Sequence, residues 1–219
     1  GARVPLTGLE IPSGNLTLIG ALHTPEDDGP FATVIVCHPH PQMGGDMYNN
    51  VVLAIVEGLI DRGIAAVRFN FRGSGDSEGS HEGGTAEQED VRAALAHAAT
   101  LPEVDVDRIG LAGYSFGAGM AAQVAPSVAS TAAGTAPVLA LVSMPLRRLD
   151  SADAIADYPS PLLLMTGDLD EFGDSGTLEE LGSEIDRATT SIIEGADHFW
   201  LGFESQISST VGDFFAANL

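Results

Sequence analysis

Residues 109–122 read Ile109-Gly110-Leu111-Ala112-Gly113-Tyr114-Ser115-Phe116-Gly117-Ala118-Gly119-Met120-Ala121-Ala122. An apolar, strand-like run ends in Gly-x-Ser-x-Gly and passes into small residues suited to the first turn of a helix. This is the form of a nucleophile elbow. The first glycine lets the chain turn sharply at the strand's end, and the second leaves room for the helix to pack against that strand. Ser115, at the tip, is expected to take strained backbone angles, with its hydroxyl exposed and the Phe116 N–H turned towards it. The phosphate-cradling alternatives, Gly-x-Gly-x-x-Gly and Gly-Lys-Ser, are both absent.

On either side of the elbow, strand and helix patterns alternate. Residues 6–11 and 16–22 read as an antiparallel edge pair around Pro12-Ser13-Gly14-Asn15. Thr33 to Cys37 is a continuous β-branched apolar run, the mark of a strand buried on both faces, and it delivers the chain to His38-Pro39-His40-Pro41. Asn49 or Asn50 caps a helix with Val52, Ile55, Val56 and Leu59 on one face, ended by Gly63. Ile64 to Phe69 is the next strand, followed by Phe71-Arg72-Gly73-Ser74-Gly75-Asp76-Ser77, where Arg72 and Asp76 read as an ion pair in a glycine-rich turn. A capping box of Thr85 and Gln88 opens a second helix. After the elbow helix come strands at Val138 to Val142 and Leu162 to Thr166, the latter followed by a helix capped by Thr177 and Glu180. A short β-like segment runs from Ser191 to Ile193, and a last helix carries Ile207, Val211, Phe214 and Phe215. Such alternation implies right-handed crossovers and a largely parallel sheet covered on both faces, with ligands at the carboxyl ends of the strands.

Two of those carboxyl ends carry further chemistry. Gly167-Asp168-Leu169-Asp170-Glu171 follows one strand, and Gly195-Ala196-Asp197-His198 follows another. The order along the chain is therefore nucleophile, acid, histidine, unlike that of chymotrypsin-like or subtilisin-like enzymes. A serine hydroxyl becomes a useful nucleophile when an adjacent base takes its proton, and imidazole suits that task near neutrality. His198 is the expected base, with a carboxylate behind it to hold the tautomer.

Val36-Cys37-His38-Pro39-His40-Pro41, Phe71-Arg72-Gly73-Ser74-Gly75-Asp76-Ser77, Gly113-Tyr114-Ser115-Phe116-Gly117, Gly167-Asp168-Leu169-Asp170 and Gly195-Ala196-Asp197-His198 together resemble the signatures of the α/β-hydrolase superfamily. The likeness is closest to its small, capless serine esterases and dienelactone-hydrolase-like members. It implies one α/β-hydrolase domain over residues 1–219, a mostly parallel sheet with helices on both faces and no cap domain. It also implies a serine hydrolase acting on carboxylic esters, with short acyl chains suited to an uncapped site. Thioesterase, lactonase, amidase or peptidase chemistry, and a binding module that retains the fold, use the same framework.

Family members commonly place the acid three residues after the strand-end glycine, which implies Asp170, with Asp168 next. The resemblance also implies two oxyanion donors. One is the Phe116 amide; the other belongs to the turn after Cys37, where Pro39 and Pro41 have no N–H to give, leaving the His40 amide. His38 is expected to hydrogen-bond backbone beneath that turn. Phe199 and Trp200 are candidates for lining the acyl or alcohol pocket, or for packing against the last helix.

Composition narrows the partners. The formal charge of −22 comes from 31 acids against 9 bases, and every base is arginine. Such a surface repels nucleic acid and anionic membranes, so a small-molecule ester is the expected partner, with the chain a monomer or homodimer. The acidic runs at 26–28 and 87–90 read as solvated faces. His23, His38 and His40 lack acidic or cysteine partners at ligand spacing, and the acids at 168–174 lack the EF-hand order, so no metal or other cofactor is expected. Cys37, the sole cysteine, precludes an intrachain disulfide. The cytoplasm is the expected compartment, although a secreted protein would also fit.

Overall fold

The buried runs at the centre of the chain stack side by side, and everything else wraps them. The computed structural model describes residues 5–128, 134–147 and 150–219. Eight strands form one sheet: β1 (Leu6–Ser13), β2 (Leu16–His23), β3 (Phe31–Cys37), β4 (Ala65–Phe69), β5 (Val104–Tyr114), β6 (Val138–Val142), β7 (Leu162–Gly167) and β8 (Ala188–Ile193), in the spatial order β1-β2-β4-β3-β5-β6-β7-β8. The β1–β2 and β2–β4 pairs are antiparallel and the remainder parallel. Every residue of β3, β4, β6 and β7 is buried, as strands covered on both faces require.

Among the described residues six α-helices complete the layers: α1 (Asn50–Ile60), α2 (Thr85–Ala98), α3 (Phe116–Val124), α4 (Asp150–Ala154), α5 (Ser175–Ser183) and α6 (Glu204–Asn218). Alternate residues of β3 serve opposite sides of the sheet, as a period of two dictates. Ile35 and Cys37 join a core with residues of α2, α3 and α5, including Val91, Ala118 and Leu178. Val34 and Val36 join a second core with residues of α1 and α6, including Ile55, Val211 and Phe215. Cys37 is fully buried, and burial pushes its thiol pKa up, so it is a packing residue. Among the described residues no helix is long and apolar enough to cross a membrane.

Four local expectations are corrected. Arg72 does not pair with Asp76, which is exposed; its guanidinium reaches Asp90 at 2.8 Å and Glu82 at 2.7 Å. The run at 87–90 is not a solvated face, because Glu87 and Asp90 are both fully buried. Asp90 accepts hydrogen bonds from Ser13 Oγ and Arg72 N as well, tying β1 and the loop after β4 to α2. The start of α2 is closed by the Glu87 carboxylate, which accepts from Gly84 N–H at 2.8 Å, while Gln88 bonds Gln123 instead. Likewise α5 is capped by Asp174, which accepts from Thr177 N–H, rather than by Thr177 itself. At α5 the acid one turn earlier wins because its side chain meets an N–H that has no intrahelical partner, and at α2 Glu87, one residue before Gln88, reaches back to the amide that precedes the helix.

Candidate active site

At the end of β5 the chain reverses within one residue. Ser115 has φ +54° and ψ −118°, a left-handed geometry that an L-residue holds only when its surroundings force it. The two glycines beside it are demanded by close approach. A Cβ on Gly113 would lie 2.4 Å from the Gly117 carbonyl oxygen, and one on Gly117 would lie 2.3 Å from that of Cys37. The first glycine therefore admits the helix, and the second admits the neighbouring β3 turn rather than β5.

The three side chains that the sequence places on separate loops meet here. Ser115 Oγ lies 2.9 Å from His198 Nε2, and His198 Nδ1 lies 3.0 Å from each oxygen of Asp170. With a carboxylate behind Nδ1, the proton resides on that nitrogen, and Nε2 is left to accept from the serine hydroxyl. The other acids are occupied elsewhere. Asp168 accepts from Gly195 N–H at 2.8 Å, joining the acid and histidine loops, and Asp174 caps α5.

Asp170 is buried, which alone would raise its pKa. Hydrogen bonds from His198, the Ser143 hydroxyl and Gly173 N–H outweigh that cost and hold the carboxyl below the usual carboxylate range. Phe172 N–H adds a bond to Oδ1 at 2.8 Å, and Thr166 Oγ1 donates to Oδ2 at 3.1 Å. The carboxylate is thus ionised and fixed in direction before any substrate arrives.

Of the two expected oxyanion donors, Phe116 directly follows the serine and His40 lies in the turn after β3. Phe116 opens α3, so its N–H has no intrahelical acceptor. The His40 ring packs 5.0 Å from that of Phe116, and its Nδ1 accepts from Gln42 N–H at 3.1 Å. Beneath this turn His38 is fully buried, donating from Nδ1 to the Pro39 carbonyl at 2.6 Å and accepting at Nε2 from Phe71 N–H at 3.0 Å. Burial pushes its imidazole down to about 4, and the bond to Pro39 only partly offsets this. His38 is therefore neutral and braces the turn, as its place in the sequence suggests. His23 sits elsewhere, accepting from Arg68 Nε at 2.9 Å.

Sequence reasoning missed the supports behind the histidine. Tyr114 donates its hydroxyl to the His198 carbonyl at 2.6 Å, and burial raises its pKa. Trp200 is fully buried and donates from Nε1 to Ser143 Oγ. It packs with α6 residues such as Ile207, so of the two pocket candidates only Phe199 stays at the surface. Ser115, Ser143 and Trp200 are the non-glycine residues with positive φ among those described, and all three belong to this site. The signal for Tyr114 was its place inside the elbow; a lone serine after β6 offered none.

A family model for the alpha/beta hydrolase domain matches residues 32–210. An uncharacterized protein of Rickettsia prowazekii is 30% identical over 192 residues, 82% of this chain and 76% of its own length. An alpha-beta serine hydrolase homologue from Coxiella burnetii superposes with a TM-score of 0.82 at 29% identity, covering 97% of this chain and 98% of that one. A lidless serine hydrolase from Xanthomonas campestris gives 0.80 at 30% identity, covering 98% and 94%. The elbow, the parallel sheet and these likenesses agree: the chain belongs to the alpha/beta hydrolase family, with the fold of its lidless serine hydrolases.

Proposed function

We propose that this protein hydrolyses carboxylic esters through an acyl-enzyme, with Ser115 as nucleophile, His198 as general base and then acid, and Asp170 as the acid that orients it. The observation that carries the reading is the unbroken chain of contacts from Ser115 Oγ to His198 Nε2 at 2.9 Å and from Nδ1 to Asp170 at 3.0 Å. As Oγ attacks the ester carbonyl, His198 takes its proton and Asp170 stabilises the imidazolium. The carbonyl oxygen becomes an oxyanion received by the amides of Phe116 and His40, each worth roughly 2.7–4 kcal/mol of barrier by analogy with donor deletions elsewhere. The imidazolium then protonates the departing alcohol. A water, deprotonated in turn by His198, releases the acid.

An uncapped site offers little depth for a long acyl chain, which favours short ones. The test combines fluorophosphonate labelling with turnover of p-nitrophenyl acetate, butyrate and decanoate. Expected are modification at Ser115 that is abolished in Ser115→Ala, and acetate or butyrate turned over faster than decanoate. A folded, unlabelled protein, or hydrolysis undiminished in Ser115→Ala, overturns the assignment.

A further inference from the structure

Three aromatic rings surround the imidazole of His198, and they differ in exposure. Tyr114 is buried, with its ring centroid 5.7 Å away. Phe172 lies 4.7 Å away and Phe199 lies 5.6 Å away, edge-on, and these two rings are 52% and 59% exposed. Leu169, Leu201 and Met43 are also exposed, and each belongs to a connection that follows the carboxyl end of a parallel strand, as Phe172 and Phe199 do. On a chain of net charge −22, two exposed phenyl rings packed against the same imidazole offer an apolar surface to a ligand.

We propose that Phe172 and Phe199 receive the alcohol half of the ester, and that this alcohol is uncharged and aromatic. The proposal deepens the ester-hydrolase reading and rests on it. When the tetrahedral intermediate collapses, the bond between the carbonyl carbon and the alcohol oxygen breaks and its electron pair stays on that oxygen. The proton on His198 Nε2 neutralises it as it leaves. The departing group must therefore lie against the imidazole at that moment, and of the three rings around it only Phe172 and Phe199 are exposed to meet it.

Their backbones are held ready. Phe172 N–H donates to Asp170 Oδ1 at 2.8 Å, Phe199 N–H donates to Asp197 Oδ1 at 2.9 Å, and Asn50 Nδ2 donates to the Phe199 carbonyl at 3.2 Å. Two rings on pinned backbones accept an aromatic group edge-on or offset at little ordering cost. Phe172 also borders a cleft of about 570 Å³ with Pro145, Arg147, Asp170, Glu171 and Asp174. Its carboxylates outnumber its one guanidinium, so a negatively charged alcohol is disfavoured there.

The experiment compares kcat/KM for benzyl acetate, ethyl acetate and 4-carboxybenzyl acetate, each divided by its hydroxide-catalysed rate so that intrinsic reactivity cancels. Expected is a preference of about tenfold for benzyl over ethyl, and slower turnover of 4-carboxybenzyl than of benzyl. In Phe172→Ala/Phe199→Ala the benzyl preference falls below about twofold, with Phe172→Leu and Phe199→Leu between. The leucine variants keep apolar bulk and so remain informative if the double variant does not fold. Equal rates in the wild type, a preference that survives removal of both rings, or faster turnover of 4-carboxybenzyl acetate overturns the proposal. Ser115 labelling with hydrolysis of all three acetates but no benzyl preference removes this inference alone. Failure of folded protein to hydrolyse any acetate removes the ester reading, and this inference with it.

Discussion

The indole N–H of Trp200 donates to the hydroxyl of Ser143 at 2.9 Å, and both residues hold left-handed backbone, with φ of +62° and +50°. Ser143 in turn bonds Asp170, so one buried relay runs from the residue two places after His198 to the acid that faces it. Strain at both positions, on the order of 1–2 kcal/mol each, is the cost of aiming that relay. Ser143→Ala and Ser143→Gly both remove a hydrogen bond to the charged carboxylate and are expected to lower kcat roughly tenfold with KM little changed. Glycine also relieves the backbone, so Ser143→Gly is expected to melt higher than Ser143→Ala by about 1 kcal/mol of stability. Steady-state kinetics beside thermal melts separate the two effects. Full activity in either variant would show the relay to be idle.

Asp90 anchors the loop after β4. Fully buried, it meets Ser13 from β1 and both the amide and guanidinium of Arg72. Asp90→Ala leaves that guanidinium without its buried counter-charge and is expected to cost about 3–5 kcal/mol in urea unfolding. A cost below about 1 kcal/mol would mean that Glu82 alone satisfies Arg72.

Much of this was legible from patterns set by neighbours along the chain. The run Thr33 to Cys37, the elbow at 113–117 and the capping Asn49 each act through local geometry, and each stands where the sequence puts it. The loops that carry Asp170 and His198 were legible because strand ends are where a parallel sheet presents its chemistry, while the choice of Asp170 over Asp168 came from the family resemblance. What stayed hidden depends on partners far away. Asp90 sits in an acidic run, and only the fold reveals that Arg72 and Ser13 bury it. Ser143 is a single polar residue after an apolar strand, given meaning by an indole 57 residues later. The capping residues of α2 and α5 differed by one turn or less, because the carboxylates of Glu87 and Asp174 take the amides that the nearby Thr and Gln side chains were expected to serve.

The elbow itself makes a sharp stability prediction. A methyl group at Gly117 would meet the carbonyl oxygens of Cys37 and His38 at 2.3 and 2.5 Å, and neither is a flexible side chain that can swing away. Gly117→Ala must therefore part β3 from α3, at a cost of about 3 kcal/mol or more. Because the His40 turn moves with β3, activity is expected to fall further than the lost stability explains. A Gly117→Ala protein with wild-type denaturation midpoint and turnover would show that the two segments separate freely.

Burial of His38 predicts a particular acid sensitivity. Its imidazole is pushed down from 6.5 to about 4 in the folded protein, while the unfolded chain takes up a proton near the ordinary value. A group whose folded pKa is depressed adds stability that is complete above its unfolded pKa and is lost as pH falls towards the folded one. The window is therefore about pH 6.5 down to 4, and the loss from this residue between pH 7 and 5 is about 2 kcal/mol. Gln in its place keeps an acceptor for Phe71 N–H and a donor for Pro39 without titrating. Urea unfolding at pH 7, 6 and 5 is expected to show His38→Gln losing about 2 kcal/mol less than the wild type across that range. His23, also pushed down to about 4 by burial and by Arg68, is only half-buried and contributes less to both proteins equally. Parallel stability curves for the two would mean that the buried imidazole is not what ties this fold to neutral pH.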